Sequence, residues 1–397
     1  PMTSPDVKNS QGEIIAPEMN LLASDDPSEW KKGLEQIQEV IDEYEEWINN
    51  QSKEKTQTET TQRMISECEE TLMRMKDGFG LLTSNQEVKK VFRWANKAMY
   101  DQQIRPNSLR MATFNLKSPL DFSFDEYPKT KEGLGKWRAF QIAFLIMNLR
   151  SIIEPQNTDL RENVELIWFP TGGGKTEAYF GLAAFSILWR RLKDPLDDGT
   201  EVLMRYTLRL LTTQQYQRAA SLICALDLIR EENETDLGES RITLGLWIGG
   251  ASSPNTVNSI KEAWKDITKP RFPKNNFVIN QCPWCGAEMG IPRSKKSLRK
   301  NQNPLGYEKS GAGKSVRISF FCPDSACDFN LSRKLPLFVD DVSISEETPS
   351  MLIGTIDKLA MLAFESGNKN FPVFGRDVDG NQVKPPPGLI IQDELHL

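Results

Sequence analysis

Three consecutive glycines followed by lysine and threonine, in Pro170-Thr171-Gly172-Gly173-Gly174-Lys175-Thr176, constrain this chain of 397 residues more than any other stretch. The apolar run Val164–Phe169 precedes them and reads as a strand; the apolar periodicity of Thr176–Arg191 reads as a helix. Between a strand and a helix, glycines let the backbone wrap closely with its N–H groups turned inward. The helix N-terminus adds the positive end of its dipole, so the ligand such a loop suits is a phosphate. Gly172, Gly173 and Gly174 then form the cradle. Lys175 reaches the β- and γ-phosphates of ATP, and the Thr176 hydroxyl holds Mg²⁺. The general phosphate-loop pattern has a glycine where Phe169 stands, a departure that argues against a small GTPase. The competing reading is a glycine-rich turn with no ligand. A second candidate, Gly311-Ala312-Gly313-Lys314-Ser315, has no apolar strand before it and reads as a decoy.

A second motif closes the chain. Leu389–Gln392 reads as an apolar strand running into Asp393-Glu394-Leu395-His396. At the carboxyl end of a parallel strand, Asp393 would complete the Mg²⁺ shell through water and Glu394 would polarise the attacking water. His396 is the sole histidine; beside an acidic pair at a strand end it is expected to couple the nucleotide site to a second ligand. Glu201–Thr207, Ile242–Gly249 and Met351–Thr355 also read as strands, and Thr212–Arg230 as a helix. Strands alternating with helices imply an α/β fold, a parallel sheet covered by helices on both faces.

Ahead of that region the pattern is helical. Residues 1–29 read as a polar arm. Residues 30–110 read as an N-terminal helical domain, with Leu34, Ile37, Ile41, Tyr44 and Ile48 at three–four spacing, then Ile65, Cys68, Leu72 and Met75, then Val88, Val91, Phe92, Ala95 and Met99. Residues 111–162 form a linker and a helix, and 163–397 form the sheet lobe. The net charge of −6 means that a nucleic-acid partner must use a local basic surface. No apolar run reaches the roughly 20 residues needed to span a bilayer. With no signal peptide evident either, the expectation is a cytoplasmic protein with no membrane partner. Pro1 stands ahead of Met2 and the chain stops one residue after His396, so it reads as a partial chain.

Four of the six cysteines fall in two knuckles, Cys282-Pro283-Trp284-Cys285 and Cys322-Pro323-Asp324-Ser325-Ala326-Cys327, within an insertion at about 270–335. Four thiolates on two turns match a closed tetrahedral Zn²⁺ site, a zinc ribbon. A redox pair is the rival, and it would need a single Cys-x-x-Cys at a strand–helix turn. Cys68 and Cys224 lie on apolar helical faces and read as core thiols. Between the knuckles, Ile291–Arg317 carries eight basic residues against the single acid Glu308. That stretch is either a phosphate-backbone contact or a solvated loop.

The order of these elements resembles the superfamily 2 DExH-box helicases. Tyr206–Gln214 is similar to that family's motif Ia, Gly249-Gly250 to its Gly-Gly element, and Gly354–Leu359 to the threonine-containing motif before the DExH strand. Arg138-Ala139-Phe140-Gln141 is similar to the element whose glutamine reads adenine. The resemblance implies a RecA-like first helicase lobe, here incomplete because a second lobe is needed to close the site. It also implies cofactor binding by Arg138 and Gln141 and DNA contacts by Thr207, Arg209, Gly249, Gly250 and Thr355. A narrower likeness, carried by Ala95–Met99, Trp137–Leu149, Pro170–Tyr179 and Arg205–Arg218, is to the helicase subunits of DISARM anti-phage systems. It implies an ATP-dependent motor on single- or double-stranded DNA, working with a DrmB-like second subunit of the same operon. The alternative is an ATP-gated loading subunit that docks partners without processive unwinding.

Overall fold

The structure is a computed structural model. It describes residues 7–8, 11–53, 58–114, 134–167, 173–206, 213–249, 253–269, 272–291, 303–361, 372–377 and 379–393. The chain divides into two compact units, Pro1–Asp101 with Thr130–Trp189, and Gln102–Lys129 with Arg190–Leu397.

The first unit is helical: α1 (Met19–Ala23), α2 (Pro27–Ser52), α3 (Glu59–Ser84), the first part of α4 (Gln86–Phe114), α5 (Ala139–Met147), α6 (Leu149–Ile153), α7 (Thr158–Arg161) and most of α8 (Lys175–Lys193). Asp26 starts α2 by accepting from the Ser28 and Glu29 N–H groups, with Pro27 at the first helical position. The three–four spacing buries Ile37, Ile41 and Ile48 on α2, Leu72 and Met75 on α3, and Val88, Val91, Phe92, Ala95 and Met99 on α4. The expected polar arm departs from its reading: Met19 and Leu22 of α1 are fully buried. Five residues are too few to display a helical period, which is why their core role was invisible in the sequence.

The strand expected at Val164–Phe169 is also corrected. Its described part, residues 164–167, joins no ladder, and Val164 and Leu166 are 93% and 66% exposed. Glu165 pairs instead with Arg74 at 2.6 Å. An apolar run becomes a strand only beside another edge, and the described part of this unit contributes no strand to either sheet.

The second unit holds a five-stranded parallel sheet, in spatial order β5-β2-β6-β1-β7. Its strands are β1 (Val202–Tyr206), β2 (Leu244–Trp247), β5 (Leu337–Phe338), β6 (Met351–Thr355) and β7 (Leu389–Gln392). The helices here are α9 (Thr213–Glu232), α10 (Glu234–Leu237), α11 (Val257–Ile267), α12 (Asp341–Glu346) and α13 (Ile356–Met361). The central strands β2 and β6 are buried throughout, as near-continuous apolar runs in a parallel sheet should be. Between β2 and β5 lies the insertion, with the antiparallel hairpin β3 (Tyr307–Ser310) and β4 (Arg317–Phe320). Phe277, Tyr307 and Phe320 meet edge-to-face beneath it, at centroid separations of 5.0–6.2 Å.

Buried ion pairs tie this unit together. Asp227 of α9 accepts from Arg241 at 2.7 Å, from Arg230 at 3.3 Å and from the Ile242 N–H at 3.1 Å. Arg190 bridges Asp197 at 2.7 Å and Glu201 at 3.0 Å, fixing the turn into β1.

Candidate nucleotide and metal sites

In the first unit the glycine loop leads into α8, a helix of 19 residues. Gly173, Gly174, Lys175 and Thr176 lie within the described residues; Gly172 lies outside them. Gly174 has φ of +90°, and a Cβ there would stand 2.8 Å from the Gln141 Nε2. The loop is therefore built for glycine at this position, as a phosphate cradle requires. Lys175 opens α8 half-buried, and Thr176 is 9% exposed. The Tyr179 hydroxyl donates to Thr176 Oγ1 at 3.0 Å.

The two residues expected at the adenine site hold this loop from outside. The Arg138 guanidinium donates to the Gly173 carbonyl at 2.9 Å, and Gln141 Nε2 donates to the Gly174 carbonyl at 2.8 Å. The Gln141 carbonyl oxygen accepts from the Arg138 N–H at 2.8 Å, so one side chain starts α5 and anchors the loop. Trp137 sets their position. Its indole N–H donates to Asn96 at 2.7 Å, and its ring lies where a Cβ on Gly181 would come within 2.6 Å. Asn96, Trp137, Tyr179 and Gly181 escaped the sequence reading of the site. Asn96, Trp137 and Tyr179 lie in the stretches that carry the DISARM likeness, but nothing local joins Trp137 to Gly181, 44 positions away.

In the second unit, β1, β2, β6 and β7 run parallel in register, with Tyr206 opposite Thr355, Trp247 opposite Gly354 and Arg205 opposite Gln392. Their carboxyl ends share one edge of the sheet. Thr355 ends β6, Asp393 follows β7 with its N–H on the Arg205 carbonyl at 3.1 Å, and Gly249 lies two residues beyond β2. The carboxyl edge of an open parallel sheet is where α/β proteins place their ligands. Thr355 is 1% exposed, so its side chain is not presented to solvent. Thr207, Arg209, Gly250, Glu394 and His396 lie outside the described residues. The decoy Gly311–Ser315 is the turn of the β3–β4 hairpin and opens no α-helix.

The four knuckle cysteines converge. The sulfurs of Cys282, Cys285, Cys322 and Cys327 all lie within 4.8 Å of one another, and all four residues are buried. Zinc–thiolate bonds of about 2.3 Å in a tetrahedron place sulfurs about 3.8 Å apart, so the cluster fits a metal ion such as zinc. All four are free thiols, with Cys285 and Cys322 sulfurs 3.2 Å apart. Gly286, at φ +73°, turns the first knuckle and returns its N–H to the Cys282 carbonyl at 2.9 Å. Burial, reinforced by the neighbouring thiols, pushes the Cys282 thiol well above its ordinary range. Trp284, inside that knuckle, donates to Asp328 at 2.6 Å and stacks under the Arg105 guanidinium at 3.5 Å. Arg241 ties the module to the sheet by donating to the Arg333 and Lys334 carbonyls at 2.8 and 3.2 Å. Of the remaining cysteines, Cys224 is fully buried and Cys68 half-buried.

Fold and sites define an α/β protein with a helical unit that carries a glycine loop and a parallel-sheet unit that carries Thr355 and Asp393 at its carboxyl edge and an inserted four-cysteine module. No family model matches the chain. Across an alignment of 407 positions that takes in 92% of this chain, it is 31% identical to the DISARM protein DrmA of Bacillus paralicheniformis (strain ATCC 9945a / NCIMB 11709 / CD-2), and it is DrmA-like to that extent. The alignment takes in 34% of that protein, so the chain spans about a third of its relative's length. Among the described residues no helix is long and apolar enough to cross a membrane.

Proposed function

We propose that the chain is the nucleotide-binding part of an ATP-dependent DNA translocase or helicase subunit acting in DISARM-type anti-phage defence. The observation that carries this reading is the glycine loop at the start of α8, held by Arg138 and Gln141, with Gly174 at a positive φ that residues with a side chain rarely adopt. The similarity to a DISARM protein supports the defence setting; a cytoplasmic location and a DrmB-like partner belong to the same proposal. Lys175 and the loop N–H groups would bind the ATP phosphates, and Thr176 and Asp393 would hold Mg²⁺. The metal supplies charge neutralisation at the phosphates when bound. Glu394 orients water and His396 couples hydrolysis to DNA, while the four cysteines hold Zn²⁺ in a structural role. Thr207, Arg209, Gly249, Gly250 and Thr355 belong to the DNA-contacting face in this reading, a face that requires Thr355 to become exposed.

The test uses the full-length protein. DNA should stimulate steady-state ATPase, and Glu394→Gln should lower that rate at least about 100-fold, the lower end of the range for losing a general base. Undiminished ATPase in Glu394→Gln overturns the catalytic assignment. Stimulated ATPase without strand displacement or translocation in single-turnover assays favours the ATP-gated loading alternative.

A further inference from the structure

Thr176 and Tyr179 lie three residues apart on α8 and so share one face of the helix. Both are buried, at 9% and 6% exposure, and their hydroxyls meet at 3.0 Å with Tyr179 donating. The Tyr179 ring is held by the edge-to-face contact with Phe180, at a centroid separation of 5.5 Å. A threonine hydroxyl has one proton and two acceptor lone pairs. The tyrosyl donor uses one lone pair, leaving the other for a cation and the proton for an anionic neighbour. Threonine in a helix otherwise divides between two χ1 rotamers, and a fixed buried donor selects one of them.

Resting on the nucleotide-binding reading above, we infer that Tyr179 is a positioning residue for Mg²⁺: its hydroxyl fixes Thr176 Oγ1 in the orientation that ligates the cation of Mg·ATP. Such a role separates from phosphate binding as a whole. The loop N–H groups and Lys175 contact nucleotide whether or not a metal is present, whereas Thr176 contributes through the metal.

The experiment measures ATP affinity of the full-length protein by calorimetry, in Mg²⁺ and in EDTA, for wild type, Tyr179→Phe, Thr176→Ala and the double variant. In Tyr179→Phe the ratio of the two affinities should fall about 3–10-fold, the worth of one hydrogen bond. Its EDTA affinity and melting temperature should match wild type. Thr176→Ala should lose the Mg²⁺ enhancement, and adding Tyr179→Phe to it should cost nothing more, because the two act through one atom. An unchanged ratio in Tyr179→Phe, or equal weakening with and without Mg²⁺, overturns the inference. So does an additive double variant, and that arm stands even if the single tyrosine variant melts early. Wild-type protein that binds no ATP in either buffer overturns the parent reading itself.

Discussion

Gly174 and Gln141 show at the residue scale how the loop is enforced from both directions. The positive φ disfavours any residue with a side chain, and the Gln141 amide lies 2.8 Å from where a Cβ would stand. Gly174→Ala should therefore strain the loop by about 1–2 kcal/mol. ATP affinity should drop by roughly tenfold in titration calorimetry, since about 1.4 kcal/mol is a factor of ten. A change smaller than twofold would mean that the loop conformation is not the binding conformation. The glycines and Lys175 were readable in the sequence because their spacing is local. The bonds from Arg138 and Gln141 to the Gly173 and Gly174 carbonyls were not, because they join residues 35 and 33 positions apart. The resemblance to adenine-binding elements placed Arg138 and Gln141 near nucleotide, but it did not reveal that they grip the loop backbone.

Among the elements, β1, β2, β6 and β7 were legible as apolar runs bounded by polar turns, and their register brings Thr355 and Asp393 to one edge. The two-residue β5 was not, because a pair of residues carries no period. The run at residues 164–167 shows the converse: an apolar pattern states a capacity to pair, and the partner edge must come from elsewhere. What fixes α9 against the start of β2 is Asp227, 1% exposed in its side chain and shared by Arg230, Arg241 and the Ile242 N–H. Removing one member of a buried ion pair strands the others. Asp227→Ala should cost about 3–5 kcal/mol in urea unfolding, with Asp227→Asn less damaging. A loss under about 1 kcal/mol would show that the Arg241 contacts to the Arg333 and Lys334 carbonyls hold this junction alone.

At the scale of the whole molecule, the four-cysteine module was legible as a metal site from knuckle spacing, while its attachment was not. Arg241 to the Arg333 and Lys334 carbonyls, and Arg105 on Trp284, link residues about 90 and 180 positions apart. Metal analysis of purified protein should find one zinc per chain, and Cys285→Ser should lower both zinc content and thermal stability. Burial holds the Cys282 thiol high, so without a metal that thiol keeps its proton at neutral pH. Zinc loading must then release protons, so affinity should rise with pH and fall on acidification. Full metal content in Cys285→Ser would refute the four-thiolate assignment.

The central claim is that the glycine loop ahead of α8 binds nucleotide phosphate through Lys175. The most direct measurement is calorimetric titration of Mg·ATP into the full-length protein and its Lys175→Ala variant, with circular dichroism to verify the fold. Wild type should bind saturably and Lys175→Ala should bind at least about tenfold more weakly, the worth of one charge-assisted phosphate contact. Equal affinity in the two proteins would contradict that claim.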